Sequence, residues 1–294
     1  MLNDLINRLT TIALFALSAA LFASHSHAAS STWTVSNGEN TLYIGGTFHM
    51  LKPTDYPLPK EFEQAYQKAD WLVFETDISK LGSADFNKQF INAMKLPSGQ
   101  ILADTLSPKA YAELIYYAAK NNIDIGQFQH FKPQLVALII SLRELKKLGL
   151  SAQGVDTYFG KKAAEDNKTM SELETLDEQI NYIATLSEGN ESALMLQTIE
   201  DFVKLPNELE QLTHAWRSGD IEQLNEIGIK PISKDYPKVY QSLIVERNQR
   251  WLPKIEQLLQ QPGKKFILVG AMHLAGKDGL LEQLALKGYQ VEAF

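Results

Sequence analysis

Tyr43-Ile44-Gly45-Gly46-Thr47-Phe48-His49 is a short apolar run that closes on glycines and a histidine. Near the far end of the 294-residue chain the phrase returns as Phe266-Ile267-Leu268-Val269-Gly270-Ala271-Met272-His273. Each reads as a buried strand whose last turn is Gly-x-x-His, with Gly46 and Gly270 as the glycines. After each come a Leu or Met, a polar loop and residues at helical spacing. One Gly-x-x-His arises often by chance. Two, each after a buried strand and before a helix, point to a shared site built from His49 and His273. A glycine there lets the backbone turn sharply and come close to a ligand.

Working outward, Trp33–Val35 and Thr41–Gly45 read as a hairpin turned at Asn37-Gly38, with the first strand at a sheet edge. Prolines 53, 57 and 59 forbid helix until about Lys60, and Phe62, Ala65, Tyr66 and Ala69 then recur at helical spacing. Asp70-Trp71-Leu72-Val73-Phe74-Glu75 is a near-continuous apolar run ending in an acid, as expected of a strand buried on both faces. Residues 43–75 therefore make a parallel strand–helix–strand unit. His49 and Glu75 should emerge at the same, carboxyl edge of the sheet, where open parallel sheets bind ligands. Residues 266–294 repeat the pattern. The fold class is α/β: a mostly parallel sheet from two pseudo-symmetric strand–Gly-x-x-His–helix–strand units, with a mostly helical insertion at 79–262.

Residues 1–28 read as a cleavable signal segment. Arg8, an apolar run from Thr11 to Ala23 and the small residues Ser26-His27-Ala28 supply its parts. The remainder, 29–294, is expected to be one exported α/β domain, periplasmic or secreted, with no stable membrane insertion once the signal is gone. There is no cysteine, which excludes disulfides, thiolate nucleophiles and cysteine-bound metals. The net charge of −7 and the absence of a basic stripe argue against nucleic acid.

Two imidazoles and a carboxylate suit a divalent ion such as Zn²⁺, Mn²⁺ or Co²⁺. Glu75 is the leading third ligand or general base. Asp156, in Gly154-Val155-Asp156, is placed as a helix N-cap. Glu174, in Leu173-Glu174-Thr175, lies in a loop before a helix. Glu246-Arg247-Asn248 sits in a long helix where the three cannot share one face, and Arg247 is the residue an oxyanion or carboxylate would select. His130 and His214 lack a strand or glycine context and read as structural.

Together Gly46-Thr47-Phe48-His49, Phe74-Glu75, Phe131-Lys132-Pro133, Gly154-Val155-Asp156, Leu173-Glu174-Thr175, Glu246-Arg247-Asn248 and Val269-Gly270-Ala271-Met272-His273-Leu274 resemble the TraB/GumN (TraB/PrgY/GumN) family over residues 32–294. That family includes the Tiki proteins, membrane-tethered metalloproteases that trim an N-terminal segment from Wnt proteins, and it is related in fold to erythromycin-esterase and ChaN-like proteins. The resemblance implies a Tiki-like α/β fold and a bound divalent ion, Mn²⁺ or Co²⁺ being favoured. It makes His49, His273 and Glu75 essential, with Glu174, Arg247 and Asn248 in support. Met272 stands where the family often has a small residue. The chain is expected to lack the animal members' membrane anchor, so a Wnt-like substrate is not implied.

The expected function is a metal-dependent hydrolase, a peptidase acting on a peptide or protein. His49, His273 and Glu75 (with Glu174) would hold the ion, and Arg247 would steady the oxyanion. Two alternatives stay open. One is a metal-independent, esterase-like hydrolase with a histidine base. The other is a peptide- or haem-binding protein using the same cleft.

Overall fold

The computed structural model describes residues 30–294; the signal segment read at 1–28 lies outside the described residues. The chain folds around a mixed six-stranded sheet. Its strands are β1 (Thr32–Ser36), β2 (Thr41–Thr47), β3 (Trp71–Phe74), β4 (Thr169–Glu172), β5 (Lys265–Gly270) and β6 (Gln290–Ala293), in the order β4-β3-β5-β2-β1-β6. β4, β3, β5 and β2 run parallel, and β1 is antiparallel to both β2 and β6.

The longer helices, in chain order, are α1 (Lys60–Lys68), α2 (Ala84–Ala93), α3 (Pro108–Lys120), α4 (Pro133–Lys147), α5 (Val155–Glu165), α6 (Leu176–Thr185), α7 (Glu191–Asp201), α8 (Leu205–Ser218), α9 (Glu246–Gln260) and α10 (Leu280–Leu286). The helix starts follow their chemistry. Ser107 caps α3 through its hydroxyl, which accepts from the Ala110 N–H, with Pro108 in the first turn. Thr175 and Glu178 form a reciprocal capping box at α6. Among the described residues, no helix is long and apolar enough to cross a membrane.

Strand periodicity divides the core. Tyr43, Leu72, Phe74, Phe266 and Leu268 face one side of the sheet, against Phe62, Tyr66, Phe159 and Trp216. Leu42, Ile44, Val73, Ile267 and Val269 face the other, against Trp251, Ile255, Leu259, Leu280 and Leu284. Both faces are covered, so these strands are apolar at every position rather than alternating. Further clusters around Leu114, Val136, Ile140 and Met195 hold α3, α4 and α7 together.

Three expectations are corrected. β1 is not an edge strand, because the C-terminal β6 pairs outside it with Trp33 opposite Ala293. β4 was unforeseen; it is short and polar, and it forms an edge of the sheet beside β3. The two Gly-x-x-His units also sit unequally. β3 lies directly beside β5, whereas β1 separates β2 from β6. The first motif runs on as strand through Thr47, while the second breaks into a 3₁₀ turn at Ala271–His273.

Candidate active site

The central pair β2 and β5 decides what can meet. They are parallel, with Gly46 opposite Val269 and Thr47 opposite Gly270, so both histidines leave the sheet at one edge. Glu75 follows β3 and Glu174 follows β4 at that same edge, joined by a hydrogen bond from the Glu174 N–H to the Glu75 carbonyl (2.8 Å). Neither motif glycine has a left-handed backbone. Their role is close approach: a Cβ on Gly46 would come within 3.2 Å of Ala271, and one on Gly270 within 3.2 Å of Glu75 Oε1.

Arg247 and Asn248, in the first turn of α9, face inward, and Glu246 is exposed and outside the site. A π-helical segment, Gln241–Val245, leads into this turn. The Arg247 guanidinium is the hub. It donates from Nη2 to Glu75 Oε2 (2.6 Å) and Glu174 Oε1 (2.7 Å), from Nε to Glu174 Oε2 (3.1 Å), and from Nη1 to His273 Nε2 (3.0 Å). Trp251, one turn along α9, donates its indole N–H to Glu174 Oε2 (3.1 Å) and packs beneath the guanidinium at 4.6 Å. Tyr182 of α6 lies 5.7 Å from it. The aromatic pair leaves Arg247 little access to water, so its hydrogen bonds act at low dielectric.

Donor–acceptor logic fixes the His273 tautomer. Arginine can only donate, so Nε2 carries the lone pair and Nδ1 the proton. Asn248 Oδ1 accepts that proton's hydrogen bond at 2.7 Å, and its amide nitrogen donates to the carbonyls of His273 (3.0 Å) and Asp278 (2.8 Å). Burial lowers the His273 pKa to about 3, which keeps the ring neutral. At Glu75 burial pushes upward, but Arg247, the site histidines and the Gly270 N–H (2.6 Å from Oε1) overcome it and hold the carboxyl down at about 2. At Glu174 burial prevails and raises the pKa despite Arg247. Two buried carboxylates against one guanidinium and a neutral imidazole leave the cluster one negative charge in excess.

His49 is held differently. Its Nδ1 lies 2.9 Å from Asp156 Oδ2, while Thr47 Oγ1 donates to Asp156 Oδ1 at 3.0 Å. The Asp156 carboxylate raises the His49 pKa to about 9. The side chain is 66% exposed, so solvent screens this pair and its contribution to stability is small. Asp156 is therefore not the helix cap. Gly154 stands at that position, because a Cβ there would sit 2.2 Å from the Phe48 carbonyl oxygen. The Val155 N–H donates to that same oxygen at 3.0 Å, tying α5 to the His49 loop.

His49, Glu75, Arg247, Gly270 and His273 share one cavity of about 460 Å³. His130 and His214 are exposed elsewhere. The sequence reading missed Trp251, Tyr182 and Thr47. Trp251 had a signal, its i+4 spacing from Arg247; Tyr182 had none. The donor types suit a divalent ion. Each ring gives Nδ1 to an oxygen acceptor, as metal-bound histidines do, and the excess negative charge favours a cation, but the His273 Nε2 lone pair already accepts from Arg247 and an ion would have to displace that hydrogen bond. As they stand, no three His, Asp or Glu among the described residues are grouped tightly enough to hold one. Both carboxylates of the expected set are already engaged at both oxygens, Glu174 by Arg247 and Trp251, Glu75 by Arg247 and the Gly270 N–H.

The family model described as TraB/PrgY/gumN family matches residues 31–293. The chain is 26% identical over 248 residues to "Uncharacterized protein YbaP" of Escherichia coli (strain K12), covering 84% of this chain and 89% of that protein. It is 23% identical to "Metalloprotease TIKI1" of Danio rerio, over 88% of this chain and 62% of that protein. The human protein of the same name is 21% identical over 88% of this chain and 61% of its own length. No solved structure matches.

Proposed function

Starting from a chain that belongs to the TraB/PrgY/gumN family, we propose that it is an exported, metal-dependent hydrolase that cleaves peptide bonds. One observation carries this reading. Two imidazoles, each anchored through Nδ1, share a cavity with a buried carboxylate and an arginine in a cluster of excess negative charge. The distant relatives named metalloproteases support it. The signal-like residues 1–28 support export.

His49, Glu75 and His273 would hold the ion. Bound there, a divalent metal lowers the pKa of water and polarises a carbonyl. The chain's own residues supply the rest. Asp156 orients His49 and accepts its Nδ1–H, so that the neutral ring would present Nε2 to the ion. Asn248 fixes His273 as the Nδ1–H tautomer. The Arg247 guanidinium is aimed beside His273 Nε2, where it can donate to a developing oxyanion. Glu75 is pinned by Arg247 and the Gly270 N–H, so its position costs little reorganisation during turnover.

A second reading keeps the hydrolysis and drops the metal. The Asp156–His49 pair supplies a base with its orienting acid once His49 gives up its proton, as pH rises toward 9, and Arg247 is already a cation in the cluster. One experiment separates the two. The purified, untagged chain is incubated with a peptide library after chelation, then with Mn²⁺, Co²⁺ and Zn²⁺ added in turn. Cleavage restored only by metal, and abolished in His49→Ala and His273→Ala, is the expected result. Cleavage that survives chelation supports the second reading. Cleavage unaffected by either histidine substitution refutes both.

A further inference from the structure

His49 stands between two apolar cavities. One is the site cavity, whose outer wall is Leu142, Leu145, Leu243 and Met272. The other, about 650 Å³, shares only His49 with the first, is lined by Asp156 as well, and is walled by Ile78, Leu81, Met170 and Ile183. Leu81 and Leu142, one in each cavity, are 44% and 38% exposed. Large aliphatic side chains left open to solvent beside a reactive residue are what a pocket for an apolar ligand group requires. Ile78 is seated over Gly160, where a Cβ would lie 2.1 Å from its Cδ1. The floor of the second cavity thus depends on the missing side chain.

The second cavity continues into a smaller, polar one of about 250 Å³, sharing Ile78, Ser79 and Met170. Thr76 and Ser171 are among its lining residues, and their hydroxyl oxygens, buried in the wall, have no hydrogen-bond partner. Ser171 belongs to β4, which among the described residues ends the sheet and has no strand on its outer side. Unpartnered buried hydroxyls and a free strand edge both seek hydrogen bonds, and a polypeptide main chain supplies them at regular intervals. An acyl chain does not.

We infer that the substrate is an extended polypeptide carrying large apolar side chains on both sides of the bond presented to His49, one in each apolar cavity, with the chain beyond the second cavity hydrogen-bonded near Thr76 and β4. This deepens the hydrolase reading and rests on it for the cleavage step, but the binding preference can be measured without turnover.

Blocked hexapeptides are compared that carry leucine or serine at the residues flanking the central bond, both together and one at a time. Binding to the chelated full chain is read by fluorescence anisotropy, and cleavage is read by mass spectrometry without metal and with Mn²⁺, Co²⁺ or Zn²⁺ added in turn. Each leucine should improve binding by roughly tenfold or more, the range expected for an apolar group in a fitted pocket. Ala164→Trp, at an exposed residue lining the second cavity, should erase the preference at one flanking position. Leu81→Ser is a milder change in the same cavity and should reduce it. Leu142→Ser should weaken the preference at the other position.

Equal binding of leucine and serine peptides overturns the inference, as does a preference that none of the three variants alters. Binding of a medium-chain acyl ester with no peptide binding also overturns it. A leucine preference in binding with no cleavage under any metal sustains the inference and removes the hydrolase reading. Cleavage without the preference does the opposite.

Discussion

Replacing Arg247 by methionine keeps an unbranched side chain between Trp251 and Tyr182 but deletes the charge and all four hydrogen bonds. Glu75 and Glu174 would then be two buried carboxylates in contact with no cation between them. Leaving one partner of a buried pair uncompensated costs about 3–5 kcal/mol. For a domain of this size, with about 2–4 °C per kcal/mol, the melting temperature should fall by about 10 °C at pH 7. The assay is equilibrium urea unfolding at pH 7 and pH 5. In the wild type, Glu75 is held below its ordinary pKa, so its contribution is present above about pH 4.5 and is lost as pH falls toward 2. In the variant the carboxyls lose what held them down and protonate more readily, so the stability deficit should shrink at pH 5. Arg247→Lys retains charge, but one ammonium cannot reach all the acceptors. It should lie between, about 1–3 kcal/mol below wild type. If the methionine variant unfolds within about 1 kcal/mol of wild type at pH 7, or with the same deficit at both pH values, the hub does not hold the site together as argued.

Asp156→Asn should lower the His49 titration midpoint from about 9 toward its ordinary 6.5, read by NMR of the imidazole. The sign follows from a raised pKa: the wild-type ion pair is fully present below about pH 6.5 and disappears as pH rises through 9, so any activity requiring neutral His49 should rise at lower pH in the variant. Asn248→Asp removes the amide that serves two carbonyls and offers His273 a charged acceptor that favours the imidazolium beside Arg247. A loss of about 2–3 kcal/mol in urea unfolding is expected. Gly154→Ala places a methyl group against the backbone of Phe48 and His49. It should cost about 1–3 kcal/mol and disturb the His49 titration, which a change in the later turns of α5, away from Asp156, would not.

The positions of His49, Glu75 and His273 could be read from the chain because each lies one to three residues beyond a strand. Parallel strands deliver their carboxyl ends to one edge, so local pattern sufficed. The partners that fix those groups could not be read so directly. Asp156 sits two residues after a glycine at a helix start, which suggested a cap. What decides its role is the clash that any Cβ at 154 would make with Phe48, a contact between segments over a hundred residues apart. Glu174 was legible as an acid before a helix, but β4, which delivers it, was not. Thr169-Met170-Ser171-Glu172 has neither alternation nor an apolar run, and it holds to the sheet only through β3. The repeat of Gly-x-x-His was real in sequence and still did not produce equivalent halves, because β1 takes the place beside β2 that a symmetric β6 would need.

That asymmetry has a chemical consequence. The extended first motif leaves His49 in an exposed loop, paired with a carboxylate that favours its charged form. The 3₁₀ turn of the second folds His273 inward, against Trp251 at 4.4 Å and onto an amide that accepts from Nδ1 without adding charge. The same residue type thus ends in opposite protonation states at neutral pH on either side of Glu75. For the hydrolase proposed above, one neutral and one protonated imidazole offer a lone pair and a proton from a single residue type. Two equivalent halves would have given it only one kind.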